Sequence, residues 1–197
     1  MKLPEILKQD HVQTVIMIAA VIISVLVFWY GLGFVLRTGN PILAVASESM
    51  EPVLYKGDLI VIEGIEDIDD IQVGFKDAEQ PGDIIIFHKP TDPDELIVHR
   101  AIEKIDKADG TYVFKTQGDN ERTNRHPDPW EIGEDDIVGR YLDIKVPWLG
   151  NIALFFSTFE VKVAFIALWI VVIVIVELAP VARKKFKRGD DEESLYK

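Results

Sequence analysis

The chain has 197 residues, a net charge of −12 and no cysteine. That length holds one ordinary domain plus additions, and the lack of cysteine excludes disulfide staples and thiol chemistry. Residues 38–160 contain 26 Asp and Glu against 11 Lys and Arg, which excludes the basic footprint that nucleic-acid binding needs.

Residues 1–13 read as a short polar lead-in on the cytoplasmic side. Residues 14–36, TVIMIAAVIISVLVFWYGLGFVL, carry no charge and are long enough to cross a bilayer core of about 30 Å as a helix. The run exceeds the 7–15 apolar residues of a cleaved signal peptide and ends in Trp29 and Tyr30, aromatics suited to a membrane interface. A retained anchor is expected. A second apolar run, 161–179, is shorter and is followed by Arg183-Lys184-Lys185-Phe186-Lys187-Arg188. By the positive-inside rule that cluster faces the cytoplasm. The chain thus reads as a multi-pass membrane protein with both termini cytoplasmic and residues 37–160 outside. Residues 180–197 form a charged tail, read as disordered.

Between the spans the pattern is that of short strands and turns. Arg37-Thr38-Gly39-Asn40-Pro41 is a turn, and Ile42–Ala46 a short strand. The stretch Ala46-Ser47-Glu48-Ser49-Met50-Glu51-Pro52 follows, closed by Gly57-Asp58. Ser47 and Ser49 are two apart, so on an extended backbone both face one side. Thirteen residues separate Leu36 from Ser49; fully extended they reach roughly 43 Å, so Ser49 is held near the outer membrane surface. Leu59–Ile62 and Ile84–Phe87 read as buried strands. His88–Asp94 reads as a Pro/Asp loop, Ile97–Ile102 as a strand, and Asp109-Gly110 as a hairpin turn returning through Tyr112–Thr116. Gly118–Asp136 is a long polar loop before the strand Ile137–Val146. Strands so divided by turn signals predict a compact, mostly β, antiparallel domain between an N-terminal and a C-terminal transmembrane helix. Its apolar runs predict strands covered on both sides or a small closed barrel.

A hydroxyl nucleophile needs a base within hydrogen-bond reach, and the base needs an orienting acceptor. Ser49, His99 and either Asp119 or Asp128 supply those parts. His99 is set mid-strand and shares its face with Ile97 and Ala101. Taken alone, each element has a plain structural reading: a Ser-x-Ser turn, a core histidine satisfied by one hydrogen bond, a Gly-Asp-Asn turn. Two rivals stand beside catalysis by serine. One is a metal hydrolase built on His88, His99, His126 and the aspartates, for which the spacing offers no ligand signature. The other is a membrane-anchored β binding module without catalysis.

Four boxes taken together go further. Ser49-Met50-x-Pro52 with Gly57-Asp58, then Gly82-Asp83-Ile84-Ile85-Ile86-Phe87, then Val98-His99-Arg100-Ala101-Ile102, then Gly118-Asp119-Asn120 resemble, in order and rough spacing, the boxes of type I signal peptidases. Histidine before Arg100, where bacterial members typically place lysine, resembles the archaeal and endoplasmic-reticulum branch. The resemblance implies an antiparallel β catalytic core and a membrane-bound serine endopeptidase that removes signal peptides from secreted preproteins. It implies Ser49 as nucleophile, His99 as general base, and the Ser49 N–H with the Ser47 hydroxyl as oxyanion donors. Two aspartates belong to that branch. Asp119 matches the first; Asp128 matches the second if the loop carries a small insertion. The reading favours Asp128 as triad acid with Asp119 holding the loop, and leaves both open. His126 maps to no family role.

An extended signal-peptide segment can add to a strand edge, and Val45, Ala46, Ile85, Ile86 and Phe87 are the candidate edge residues. Small residues at −1 and −3 of the substrate are expected. The partners expected are signal peptides, membrane lipid and, by proximity, the protein translocation channel; no nucleic acid, cofactor or metal is expected.

Overall fold

The structure, a computed structural model, describes residues 10–172 and 174–175. The chain divides into two units, residues 1–151 and 152–197.

The first unit opens with helix α1 (Asp10–Leu36). Its stretch Gln13–Val35 is long and apolar enough to cross a membrane, and none of it is buried inside the protein. Apolar residues all round the helix leave no polar face for water, the pattern of a helix that meets lipid. It ends where Arg37 turns left-handed at φ 54° and the Thr38 N–H donates back to the Gly33 carbonyl at 3.1 Å, a Schellman-type closure. The Gly64 N–H then donates to the Leu36 carbonyl at 2.7 Å. That bond ties the helix end directly to the β domain.

Among the described residues the β domain is a seven-stranded antiparallel sheet. The strands are β1 (Ile42–Ala44), β2 (Leu59–Glu63), β3 (Ile84–Lys89), β4 (Asp92–Asp106), β5 (Tyr112–Gln117), β6 (Ile132–Gly133) and β7 (Ile137–Val146). Their order is β1-β2-β7-β3-β4-β5-β6. Both faces of the sheet are covered. Alternation along β3 sends Ile84 and Ile86 into one core with Val45, Met50, Leu54, Ile60 and Ile62. It sends Ile85 and Phe87 into a second core with Ile71, Ala101, Phe114 and Ile132. A run of four apolar residues is what period-2 geometry requires of a strand with two cores.

Three elements differ from the sequence reading. The first strand stops at Ala44 rather than Ala46, because Val45 leaves the ladder to exchange hydrogen bonds with Asp58 and Gly57, both 2.9 Å. The expected loop His88–Asp94 is a tight hairpin: Lys89 pairs with Asp92, and Pro93 and Asp94 belong to β4. A register shift between His88 and Lys89 absorbs the extra residues of β4. The polar stretch after Gly118 contains β6, which pairs Ile132 with Phe114. By contrast Asp109-Gly110 turns the β4–β5 hairpin as expected, with Gly110 at φ 81°.

A short helix, α2 (Gly150–Phe155), follows β7. In the second unit residues 159–172 and 174–175 are helical, with edge-to-face contacts from Phe156 to Phe165 and from Phe165 to Trp169. The remainder of the expected second span, 176–179, lies outside the described residues, as do residues 1–9 and the charged tail 180–197.

Candidate active site

The stretch that carries Ser49 is a turn pinned at both sides. Met50 and Leu54 anchor it in the first core with exposures of 1% and 0%, and the Leu54 N–H donates to the Met50 carbonyl at 2.9 Å. The Asp58 carboxylate accepts from the Tyr55 N–H at 3.0 Å. Asp58 also sits 3.4 Å from Lys145, whose Nζ donates to the Val53 carbonyl at 2.6 Å. Buried side chains on either side of the turn fix Ser49 while leaving its own side chain partly open. Its Oγ lies 3.1 Å from Ser47 Oγ, so the two hydroxyls do share a face.

Ser49 and His99 line one cleft of about 430 Å³, together with Leu43, Val45, Ala46, Ser47, Leu96 and Val98. Its walls are strand edges. β1 is the terminal strand of the sheet. β4 pairs with β5 only from Arg100 onward, so among the described residues its segment before Arg100 has β3 on one side and no strand on the other. The cleft is mostly apolar, and two hydroxyls and an imidazole are among its lining groups.

His99 is held from behind. Its Nδ1 is 2.6 Å from Asp128 Oδ2, both side chains 8% exposed. Asp128 in turn accepts from the Thr116 hydroxyl at 2.6 Å, and its N–H donates to the Thr116 carbonyl at 2.8 Å. A carboxylate on Nδ1 fixes the tautomer with hydrogen on Nδ1 and leaves Nε2 as an acceptor.

Asp119 is elsewhere. Arg100 points away from His99 and grips Asp119 through two parallel bonds, Nε–Oδ1 at 2.8 Å and Nη2–Oδ2 at 2.5 Å. Nη1 of Arg100 donates to the Gly82 carbonyl at 2.5 Å. Asp119 is therefore part of a buried bidentate pair and makes no hydrogen bond to His99. Lys76 adds a tether to the same loop, donating to the Asp119 carbonyl at 3.2 Å and to Glu121 at 2.8 Å. That hydrogen bond holds the Lys76 ammonium above its ordinary pKa and the Glu121 carboxyl below its own.

Of the candidate peptide-binding residues, Val45 and Ala46 line the cleft. Ile85, Ile86 and Phe87 do not offer an edge. β3 is paired to β4 on one side and β7 on the other, and the three side chains are fully buried. Leu96–Val98, in the part of β4 that β5 does not pair, lines the same cleft as Val45 and Ala46. The sequence reading also passed over Thr116, Arg100 and Asn120. Arg100 is signalled by its position beside His99, and Asn120 by the Gly-Asp-Asn tripeptide. Thr116 carries no local mark beyond its place in a buried strand. His88 pairs with the Pro93 carbonyl at 2.6 Å, and among the described residues no three acidic or histidine side chains form a metal-holding group.

No protein-family model matches the chain. Individual relatives do. The signal peptidase complex catalytic subunit SEC11C of Rattus norvegicus is 28% identical over 166 residues, 81% of this chain and 80% of the relative; the Homo sapiens protein matches equally. SEC11 of Lachancea thermotolerans is 30% identical over 141 residues, 68% of this chain and 76% of the relative. The matched length takes in most of the β domain and its cleft, and on it the chain belongs to the family of SEC11-type signal peptidase catalytic subunits, which are serine-type endopeptidases.

Proposed function

We propose that the chain removes N-terminal signal peptides from secretory preproteins, cutting after small residues at −1 and −3, with Ser49 as nucleophile, His99 as general base and Asp128 as the acid that orients it. The observation that carries this reading is the 2.6 Å bond between His99 and Asp128 beside the cleft that His99 shares with Ser49. A base oriented from behind and a hydroxyl in the same cleft are the parts acyl transfer needs.

The steps follow from those parts. The Ser49 hydroxyl lies 3.1 Å from that of Ser47; its bond to His99 Nε2 forms with substrate, a contact that such sites commonly complete only then. Ser49 Oγ attacks the scissile carbonyl while its proton passes to Nε2. The tetrahedral oxyanion is met by the Ser49 N–H and the Ser47 hydroxyl. The C–N bond breaks, the leaving amine takes the proton from Nε2, and the signal peptide remains as an ester on Ser49. Water, deprotonated by His99, attacks the ester and frees the serine. Asp119 acts one step removed, holding its loop through Arg100.

The substrate lies as an extended strand between Val45-Ala46 and Leu96–Val98, bonded through its main chain. The mostly apolar cleft, lined by Ala46 and Val98 beside the two serines, is read as taking small side chains next to the cut. Helix α1 and the apolar segment 161–179 both cross the bilayer in this reading. Residues 37–160 then face outward beside lipid and near the translocation channel, and both termini are cytoplasmic. The short link between α1 and Ser49 suits a bond that emerges from a membrane.

Cleavage of a preprotein in vesicles tests the proposal. Ser49→Ala and His99→Ala each abolish processing while insertion and folding persist. Processing at the wild-type rate by either variant overturns the assignment.

A further inference from the structure

Resting on that reading of Ser49, we infer that Asn120 is a positioning residue that sets the oxyanion donor, by locking the peptide plane between Glu48 and Ser49. In a planar trans peptide the carbonyl of one residue and the N–H of the next point in opposite directions. Whatever holds the Glu48 carbonyl therefore aims the Ser49 N–H. The Asn120 Nδ2 donates to the Glu48 carbonyl at 2.8 Å. The same carbonyl also accepts the Glu51 N–H within its own turn, at a longer 3.2 Å, so the side chain of Asn120 is the shorter of its two restraints and the one that comes from outside the turn.

The amide of Asn120 has only one sensible orientation. Its Oδ1 accepts the Arg122 N–H at 3.0 Å, which leaves Nδ2 for Glu48. The residue is 8% exposed, so each of these bonds is shielded from water. The backbone of Asn120 restrains the next peptide as well, since its N–H donates to the Ser49 carbonyl at 2.9 Å. Both peptides that flank the nucleophile are thus held by one residue, 72 positions away from Glu48. Gly118 shows how close the loop comes. A Cβ there would lie 2.6 Å from the Ser49 carbonyl oxygen, inside any tolerable contact.

The clasp is rooted on the strand that carries the base. Arg100 follows His99 on β4 and holds Asp119 bidentately, and Asp119 precedes Asn120. One strand therefore positions the base on one side and the nucleophile's turn on the other. Without the Asn120 donor, the Glu48–Ser49 peptide is held only by the longer bond from the Glu51 N–H and rotates more readily. Rotation turns a carbonyl oxygen toward the developing oxyanion and takes its N–H away. A hydrogen bond to the carbonyl also polarises that N–H and strengthens it as a donor.

Asn120→Asp is one probe: it is nearly isosteric and keeps an acceptor for the Arg122 N–H, but it sets a charged carboxylate oxygen against the Glu48 carbonyl in place of the donor, so Asn120→Ala, which removes the donor and adds no charge, is run beside it. Removing an oxyanion donor outright slows kcat by about 10²–10³. Misaiming one is expected to cost about 10- to 100-fold in kcat with KM changed less than about threefold, because the effect is confined to the transition state. Asn120→Ala follows the same split. The diagnostic readout is a peptide whose scissile carbonyl oxygen is replaced by sulfur, which a hole shaped for oxygen serves badly. In wild type the oxygen substrate is cut far faster than the sulfur one; in both Asn120 variants that ratio collapses toward unity, while the unfolding midpoint of Asn120→Ala stays close to wild type. A wild-type ratio in both variants, or a rise in KM at unchanged kcat, overturns the inference. Ser49→Ala is run in parallel: if it cuts, the reading of Ser49 fails first. If it is dead while both Asn120 variants keep wild-type kcat, only the inference fails.

Discussion

His99 and Asp128, 29 positions apart in sequence, meet through a 2.6 Å hydrogen bond on Nδ1, and Thr116 Oγ1 lies 2.6 Å from the same carboxylate oxygen. If Asp128 orients the base, Asp128→Asn keeps the shape and lets Nδ1 lose its acceptor, so the imidazole adopts the wrong tautomer. A fall in kcat of up to about 10⁴ is expected, as for the corresponding change in a Ser-His-Asp triad. Thr116→Val removes one charge-assisted bond and lowers kcat by about tenfold. Single-turnover cleavage of a preprotein measures both, and an Asp128→Asn variant of wild-type activity removes Asp128 from the mechanism.

Asp119 predicts the opposite phenotype. Its pair with Arg100 is buried, at 9% and 2% exposure, and truncating one member leaves an unpaired buried charge. Arg100→Met or Asp119→Ala is expected to destabilise the β domain by about 3–5 kcal/mol. Replacing both with apolar residues of similar volume recovers much of the loss. Chemical denaturation of the detergent-solubilised protein, followed by tryptophan fluorescence, separates the cases. A loss no larger than that of Asp128→Asn would show that the pair does little for the fold.

The pH profile gives a third prediction. A general-base mechanism gives kcat/KM an acid limb. The Lys76–Glu121 tether is the competing source of pH dependence near the site, and its signs exclude it. Glu121 is held below the ordinary carboxylate range by its hydrogen bond to Lys76, so its contribution is present above its unfolded value and is lost only as pH falls through the depressed one. Lys76 is held above its ordinary value by the same bond. Its contribution is complete below the unfolded value and fades only as pH rises through the raised one. Between those limits the tether is constant. Lys76→Met therefore leaves the acid limb of kcat/KM where it was, and an acid limb that moves with Lys76→Met assigns the fall to the loop instead.

What the sequence made legible was local. Ile84–Phe87 reads as a buried strand because four apolar residues in a row leave no solvent face, and the two cores on either side of β3 bear that out. Asp109-Gly110 reads as a hairpin because glycine tolerates the positive φ found there. What was not legible depended on distant partners. β3 looked available as an edge because nothing local says that β7, fifty residues on, pairs with its other side. The choice between Asp119 and Asp128 was open for a similar reason. Both follow β5, and what separates them is that Arg100 claims Asp119 on the far side of β4 from His99. The hairpin at Lys89–Asp92 was missed because prolines and aspartates mark a loop whether it has two residues or seven.

The cleft itself yields a last prediction. Its walls are the outer edge of β1 with Val45 and Ala46, and the segment of β4 before Arg100, where among the described residues no strand pairs on the second side. A peptide that adds as a strand uses its N–H and C=O groups alternately toward one wall and the other. Methylating single backbone nitrogens of a substrate therefore weakens binding at each residue that lies between the two walls, and not at residues beyond them. Each lost bond is worth about 0.5–1.5 kcal/mol, about 2- to 10-fold in KM. Residues outside the cleft change little, because their nitrogens face no wall. Steady-state cleavage of a set of singly methylated peptides reads the pattern directly. No loss at any position would mean that side chains alone hold the substrate and that the strand edges are bystanders. A period of two would mean that one edge alone bonds the peptide, and its phase would fix the register of the peptide against that edge.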